Sequence, residues 1–342
     1  MRPRVRLLGA LTAILAIAAL AGACGSSSSS TTTSGPAASS KPGSNVKVGL
    51  VTDIGGLNDH GFNHLAYVGL QRAATQLGVQ TKVEQSNSGS DYVPNLTALA
   101  AQHYNLVIAV GFLMDSAVKQ VAKQFPNTNF AIVDDLPSPT PPNVDGLLFK
   151  EQESGYDAGY LAGMMTKSNI VSTVGGQKIP PVDHYIAGFQ AGAKAANPKV
   201  KTLNDYSNTF VDQTKCKQLA LNQIGEGSDI VFQVAGNCGL GALSAAQEKH
   251  VWGIGVDADQ SALGTFILTS AIKKVDVAVY DTIQDQVKGN FHGGGATTYD
   301  ATKGATGLGK VSSQVPHADL QKLLKVEAKV KSGQIVPPDT VK

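Results

Sequence analysis

Short apolar runs rich in β-branched residues alternate with segments of helical spacing along most of this chain. Residues 46–51, VKVGLV, form the first such run, and from Phe62 onward apolar residues recur at the intervals of one helix face. A polar loop, residues 52–61, lies between the two. Strand, loop and helix repeated in this order predict a parallel sheet with right-handed crossovers. In such sheets, ligands bind at the loops that follow the carboxyl ends of the strands.

The alternation runs through residues 46–149 and then starts again, which predicts two lobes with a sheet in each. We expect the chain to cross between the lobes near residues 149–151 and to return near Asp257. The first lobe would then hold residues 46–149 and about 257–285, and the second lobe residues 150–256 and about 286–342. A ligand would lie between the lobes, where loops from both sheets converge.

The first 23 residues have the marks of a secretory signal, with three arginines in MRPRVR followed by an apolar run. The run ends at residues 21–24, AGAC, which resemble a bacterial lipobox. This resemblance implies cleavage before Cys24 and attachment of lipid, palmitate included, to that cysteine. We expect an extracytoplasmic protein that its lipid anchors in the cell membrane; a plain secreted protein is the alternative.

Residues 24–45 consist almost entirely of small and polar residues, which predicts a flexible tether. Residues 1–23 carry three positive charges and no negative ones, so their removal changes the formal net charge from +2 to −1. Basic residues are nowhere interleaved with aromatic ones in a patch, and nucleic-acid binding therefore has no support.

The sequence contains no complete motif of an enzyme, metal or cofactor site. Residues 304–310, GATGLGK, have the spacing of a phosphate-binding loop, but Val311 follows where that loop needs a hydroxyl. The seven histidines are scattered, and the sequence contains no Cys-x-x-Cys pair of a zinc site. A Gly-x-Ser-x-Gly nucleophile motif is also absent.

Carboxylates follow several predicted strands, and aromatic residues stand in loops at the same edge. The acids are Asp53, Asp115, Asp134 and Asp257, and the aromatic residues are Phe62 and Phe210. Charged acceptors suit the hydroxyl donors of a sugar, and aromatic faces suit a flat ring. The combination predicts a ligand in which a sugar is joined to a base. The alternative for the first loop is that its acids only shape a turn and cap a helix.

With Cys24 lipidated, Cys216 and Cys238 remain as an even pair in an oxidising compartment. Cys216 begins a predicted helix, and Cys238 follows the next strand, so adjacent βα units could bring them together. We predict a disulfide between them, with two buried thiols as the alternative.

Several of these segments together resemble one family. They are residues 48–56 (VGLVTDIGG), 61–63 (GFN), 111–115 (GFLMD), 187–189 (AGF) and 255–260 (GVDADQ). In this order they resemble the basic membrane protein family, nucleoside-binding lipoproteins that supply ABC transporters. The resemblance implies the type I periplasmic-binding fold, an α/β fold of two Rossmann-like lobes with parallel central sheets joined by a multi-strand hinge.

The resemblance also implies a set of ligand-binding residues, which are Asp53, Phe62, Asn63, Asp115, Phe210, Asp257 and Lys273. The two phenylalanines would stack on opposite faces of the base, and Asp115 would meet the edge of the base or sugar. Asp257 and Lys273 would hold the ribose hydroxyls.

The implied function is that of a monomeric receptor without enzymatic activity, cofactor or metal. It would capture a nucleoside, a purine by preference, and present it to the permease and ATPase subunits of an ABC transporter. Two alternatives stay open: a ligand-sensing lipoprotein of the same fold, and an exported nucleoside hydrolase.

Overall fold

The computed structural model describes residues 41–341 of the 342-residue chain. The strands are β1 Lys47–Val51, β2 Gln80–Glu84, β3 Leu106–Val110, β4 Asn129–Val133, β5 Val144–Phe149, β6 Ile170–Gly175, β7 Lys201–Tyr206, β8 Ile230–Val234, β9 Trp252–Asp257, β10 Ile267–Lys273, β11 Gly295–Tyr299 and β12 Thr306–Leu308. The α-helices are α1 Phe62–Leu77, α2 Tyr92–Ala101, α3 Asp115–Gln124, α4 Glu151–Met165, α5 Pro180–Ala196, α6 Gln213–Gly225, α7 Gly236–Glu248, α8 Val275–Lys288 and α9 His317–Lys331.

The first sheet has the strand order β11-β5-β4-β3-β1-β2, and every neighbouring pair in it is parallel. Leu50 and Ile108 are fully buried on one face, in a cluster that includes residues of α1 and α8. Val51 and Val107 are fully buried on the other face, with residues of α2 and α3. Burial of alternate residues on opposite faces explains why these strands are almost entirely apolar.

The second sheet has the order β12-β10-β9-β8-β6-β7 and is parallel except for the antiparallel pairing of β12 with β10. One face packs against α4 and α5, where Phe189 and Phe232 are buried. The other face packs against α6 and α7 around Val231 and Ala242. The predicted fold class, two α/β lobes with parallel central sheets, is confirmed.

Three segments of chain join the two lobes. The first is Lys150, the second is Lys274, and the third is residues 300–305 between β11 and β12. The backbone N–H of Lys150 donates to the carbonyl of Tyr299 (3.1 Å), and that of Lys274 donates to the carbonyl of Ala305 (2.9 Å). These hydrogen bonds hold the three crossings side by side as a multi-strand hinge.

The late strands are divided between the lobes differently from the expected boundaries. β10 pairs in the second sheet, although residues 257–285 were expected in the first lobe. β11 pairs in the first sheet, although residues 286–342 were expected in the second. The return crossing lies at Lys274 instead of near Asp257, because the chain adds β10 to the second sheet before it leaves that lobe.

Helices α4 and α5 lie in close contact because glycines face each other's backbones. A Cβ atom at Gly159 would clash with the carbonyl oxygen of Phe189, and one at Gly192 would clash with that of Tyr156. The missing side chains let the two helix backbones approach, and the second lobe thereby holds α5 firmly in place.

Helices α6 and α7 are joined by the predicted disulfide between Cys216 and Cys238, whose Cα atoms are 5.6 Å apart. The prediction is confirmed in the structure, and its reason is the expected one: the cysteines stand at the starts of helices in neighbouring βα units. In the chain-entropy model, closing a loop of this length contributes about 3 kcal/mol to the free energy of unfolding.

The expected signal at residues 1–23, the lipidated Cys24 and most of the tether lie outside the described residues. The tether was expected to reach residue 45, but residues 41–45 form a turn in which the Gly43 N–H donates to the carbonyl of Leu77 (2.8 Å). Over residues 41–341, the helices are all too short or too polar to cross a membrane.

Candidate functional site

A cavity lies between the two lobes, at the carboxyl ends of strands from both sheets. Six of the seven residues expected to bind a ligand line it: Asp53, Phe62, Asn63, Phe210, Asp257 and Lys273. The first lobe contributes three of them from the β1–α1 segment, and the second lobe contributes the rest. The parallel topology explains this convergence, since strand ends of one sheet share an edge.

The loop between β1 and α1 is held by a network of its own side chains. The carboxylate of Asp59 accepts hydrogen bonds from the backbone N–H groups of Gly61 (3.0 Å), Asn63 (2.7 Å) and His64 (3.1 Å). The amide of Asn63 accepts from the N–H of Asp53 (2.8 Å) and donates to Asp59 (3.1 Å). Asp59 therefore caps α1, and Asn63 fixes the backbone of Asp53 at the cavity wall.

Asp53 presents a buried carboxylate to the cavity from the end of β1. Its Oδ1 accepts from the N–H of Ile54 (2.7 Å) and from the hydroxyl of Tyr92. Burial raises the pKa of Asp53 to about 6, although both hydrogen bonds oppose the shift. The group is therefore ionised at neutral pH and can accept hydrogen bonds from a ligand.

Phe62 and Phe210 line the cavity from opposite lobes. Phe62 stands at the start of α1, and the ammonium group of Lys273 lies 4.8 Å from the centroid of its ring. The ring of Phe210 lies so close to Gly176 that a Cβ atom there would clash with it. Two aromatic rings on facing lobes can hold a flat ligand when the lobes close.

A group of charged residues forms another part of the lining. The ammonium of Lys273 is 2.6 Å from Asp134, 3.4 Å from Glu151 and 3.8 Å from Asp257. Burial would lower the pKa of Lys273, but these carboxylates outweigh it and hold the pKa above its ordinary range. Burial raises the pKa of Asp257 to about 6, against the opposing effects of Lys273 and the Tyr185 hydroxyl, which donates to it (3.2 Å). One cation among three carboxylates gives this end of the cavity a surplus of acceptors.

The two lobes contact each other directly at the cavity. Asp134 follows β4 of the first sheet, and its ion pair with Lys273 reaches β10 of the second. The side chain of Gln260 in the second lobe also donates to the carbonyl of His60 in the first (3.3 Å). These contacts join the two lobes at the cavity, and the second of them engages the backbone of His60.

Asp115 does not line the cavity, in contrast to the expected role. It lies in the first turn of α3, where its carboxylate pairs with Lys119 one turn later (2.6 Å). Its charge also raises the pKa of Asp135 further, after burial has already raised it. The ion pair with Lys119 directs Asp115 along its own helix.

Several lining residues were not predicted as ligand-binding from the sequence. Among these are Asp59, Phe112, Asp134, Tyr185 and Asn237. Asp134 is among the acids that follow predicted strands, although the ligand-binding set left it out; Phe112 also follows a strand and could have been found by that signal. Tyr185 lies on α5 and reaches the cavity through the packing of that helix, which has no signature in the local sequence. Within residues 41–341, no group of three or more histidine, cysteine or acidic side chains could hold a metal ion.

A family model described as "ABC transporter substrate-binding protein PnrA-like" matches residues 46–340. The chain belongs to this family, Bmp. The match spans both lobes and the hinge, so the family resemblance predicted from short segments is confirmed over the whole described fold. Bmp-family proteins are substrate-binding components of ABC transporters, and the cavity between the lobes is the part of this chain that suits such a role.

Relatives of this Bmp-family chain match it over most of both lengths. A protein of Listeria innocua named "CD4+ T-cell-stimulating antigen" is 35% identical over 96% of the chain and 97% of the relative. A protein of Lactococcus lactis named "ABC transporter nucleoside-binding protein BmpA" is 33% identical over 88% and 91%. A "Basic membrane protein A1" of Borrelia garinii is 30% identical over 85% and 88%.

Solved structures support the same fold for the Bmp-family chain. An ABC transporter solute-binding protein of Aeropyrum pernix superposes with a TM-score of 0.78 at 26% identity, covering 86% of this chain and 94% of its own. One from Conexibacter woesei gives a TM-score of 0.70 at 24% identity, covering 87% and 100%.

Proposed function

We propose that this protein captures a nucleoside, a purine by preference, between its two lobes and delivers it to an ABC permease. The observation that carries the proposal is the composition of the cavity wall. Two phenylalanines come from facing lobes, and the lining also includes buried carboxylates and a lysine. Aromatic faces suit a base, and ionised acceptors suit the hydroxyls of a ribose. The name of the Lactococcus lactis relative supports the same ligand class.

The proposed roles of the site residues follow from their positions. Phe62 and Phe210 stack on the base, while Asp53, held by Asn63, accepts from the ligand at the first lobe. Asp257 and Lys273 bind ribose hydroxyls in the charged part of the lining. Asp115 has no role in this proposal, because its carboxylate is engaged with Lys119.

Titration calorimetry with inosine, guanosine, adenosine, cytidine and uridine tests the ligand class. We expect purine nucleosides to bind most tightly and to be recovered intact after incubation, since the protein is proposed to do no chemistry. Absence of binding across the panel would refute the proposal, and release of free base would favour a hydrolase. Asp257→Asn should weaken binding. Asp259→Asn is the matched control, because Asp259 lies outside the cavity wall and bonds the N–H groups of Ser261 and Lys310.

The proposed localisation is extracytoplasmic, with a monomeric protein anchored in the cell membrane by lipid on Cys24. Delivery to a permease requires the receptor to stay near the membrane, and a lipid with a flexible segment would keep it there. Metabolic labelling with palmitate tests the anchor. We expect label on the wild-type protein and none on Cys24→Ser, which should leave the membrane fraction.

A further inference from the structure

The loop that carries Phe210, residues 207–212 between β7 and α6, is held against the start of α7. The backbone N–H of Cys238 donates a hydrogen bond to the carbonyl oxygen of Phe210 (2.9 Å). Cys238 lies in the first turn of α7, where a backbone N–H has no partner within the helix. A Cβ atom at Gly236, where α7 begins, would be 3.7 Å from the same carbonyl oxygen. The position of Phe210 therefore depends on where α7 begins.

The disulfide between Cys216 and Cys238 joins this loop to α7 a second time. Asp212 ends the loop and caps α6 by accepting hydrogen bonds from two backbone N–H groups of its first turn, in which Cys216 also lies. From Phe210 the chain runs through this cap to Cys216, across the disulfide to Cys238, and back to Phe210 by the hydrogen bond. This small closed ring of bonds leaves the backbone of Phe210 little freedom.

The packing between α6 and α7 around the disulfide comes largely from small side chains. Both cysteines are fully buried, and the other buried residues of the two helices in this cluster are alanines. An alanine side chain buries little apolar area. The amide of Gln213 donates to that of Asn237 (2.9 Å), but this hydrogen bond is exposed to water and contributes little. The disulfide is therefore the link that fixes the two helix starts most firmly.

Phe62, the aromatic residue on the facing lobe, is positioned without such a link. It begins α1, which Asp59 caps, and it packs against the core of the first lobe. Phe210 instead stands in a loop, with its ring against Gly176. Of the two rings that face the proposed base, Phe210 is therefore the one whose place depends on the disulfide.

We propose that Cys216 and Cys238 are positioning residues of the ligand site, whose disulfide holds the Phe210 ring where the base stacks on it. The inference rests on the proposed function and gives the disulfide a part in binding besides its contribution to stability. A ring that is in place before the ligand arrives does not have to be ordered on binding, so the stacking contact costs less entropy. Loss of the disulfide should weaken stacking on Phe210 and leave stacking on Phe62 unchanged.

A double-mutant cycle separates positioning from stability. Cys216→Ala/Cys238→Ala removes the link, and Cys216→Val/Cys238→Ala removes it while restoring part of the buried volume. Each is combined with Phe210→Leu and, separately, with Phe62→Leu, and titration calorimetry measures the affinity for inosine. Leu323→Ala is the control for lost stability, because Leu323 is fully buried on α9 in the second lobe and lies outside the cavity wall.

We expect both disulfide-free variants to bind inosine about fivefold or more weakly, the lower end of the range for stacking of a base on an aromatic ring. The loss caused by Phe210→Leu should be smaller in these variants than in the wild type, by about twofold or more. Phe62→Leu should cause the same loss in both backgrounds. Leu323→Ala should lower the melting temperature and bind inosine like the wild type.

Three results would overturn the positioning role. They are wild-type affinity in a disulfide-free variant that folds, a loss that multiplies with Phe210→Leu as it does with Phe62→Leu, and an equal loss of affinity in Leu323→Ala. If the wild type binds no purine nucleoside, the proposed function itself fails, and this outcome is distinct from the others.

Hydrogen exchange of the wild-type protein, followed by NMR, tests the same inference without relying on the folding of a variant. The Cys238 N–H reports the bond to the Phe210 carbonyl, since a donor in the first turn of α7 has no partner inside the helix. We expect this amide to exchange slowly in the ligand-free protein. Rapid exchange that slows only when inosine is added would show that Phe210 is not held in advance, and it would overturn the proposal.

Discussion

Phe62 combines a structural position with a proposed functional one. It begins α1 and is half-buried against the core of the first lobe, but it also lines the cavity under Lys273. Phe62→Leu keeps apolar volume and removes the aromatic face. We expect a loss of about 1–3 kcal/mol in nucleoside binding, the range for stacking of a base on an aromatic ring, measured by titration calorimetry.

Phe291 offers the control for this substitution. It is also half-buried against the same core cluster, but it does not line the cavity. Phe291→Leu should therefore lower thermal stability about as much as Phe62→Leu while leaving the nucleoside affinity unchanged. Equal affinities for the two variants would remove Phe62 from the site.

The acids show how far residue-level prediction from sequence can go. The sequence shows that carboxylates follow strands, and two of these, Asp53 and Asp257, do line the cavity. Asp115 also comes after β3, but it is the first residue of α3, and its carboxylate forms an ion pair with Lys119. Asp134 faces the cavity with a left-handed backbone that its residue type does not require. Local sequence thus identifies strand ends, but backbone conformation and ion pairing decide which acids reach the ligand.

The close contact between helices α4 and α5 predicts that a side chain added at their interface lowers stability. Gly159→Ala would place a methyl group against the carbonyl oxygen of Phe189, on a helix backbone that cannot move freely. Overpacking of this kind lowers the free energy of unfolding by about 1–3 kcal/mol, which urea denaturation would measure.

Gly225→Ala is the matched helical control, since no atom lies within 4 Å of a Cβ there. It should leave stability unchanged or raise it slightly, because alanine favours helix over glycine by about 1 kcal/mol. Similar effects of the two substitutions would show that helix propensity, and not the approach of the helices, determines their stability.

The elements that sequence predicted well are those with buried faces. β3 is a continuous apolar run and β1 is interrupted only by Lys47 and Gly49, and the structure places both strands inside the first sheet. β11, GATTY, is polar and lies at a sheet edge with alternating exposure, so no apolar run identified it. Its partner β5 lies far away in the sequence. Pairing over that distance is decided by the complete fold, and for this reason the lobe boundaries after Asp257 were misplaced.

At the scale of the whole molecule, buried acids make stability depend on pH. Burial raises the pKa of Asp53 and Asp257 to about 6 and that of Asp157 to about 8, whereas an unfolded chain has aspartate pKa values near 3.9. Between these limits the folded protein holds more protons than the unfolded one. Its free energy of unfolding therefore falls as the pH rises through this range. We expect the melting temperature of the ligand-free protein to decrease from pH 5 to pH 8.

Ligand binding should respond to pH in the opposite direction. Asp53 and Asp257 accept hydrogen bonds from donors when ionised, so acidification from pH 7 to pH 5 protonates them and weakens binding. The increase in melting temperature that saturating inosine produces should therefore shrink toward pH 5, as scanning calorimetry with and without inosine would measure. Asp257→Asn should flatten this dependence, while Asp259→Asn should preserve it. An inosine-induced increase that stays constant from pH 5 to pH 7 would contradict a role for ionised carboxylates in holding the ligand.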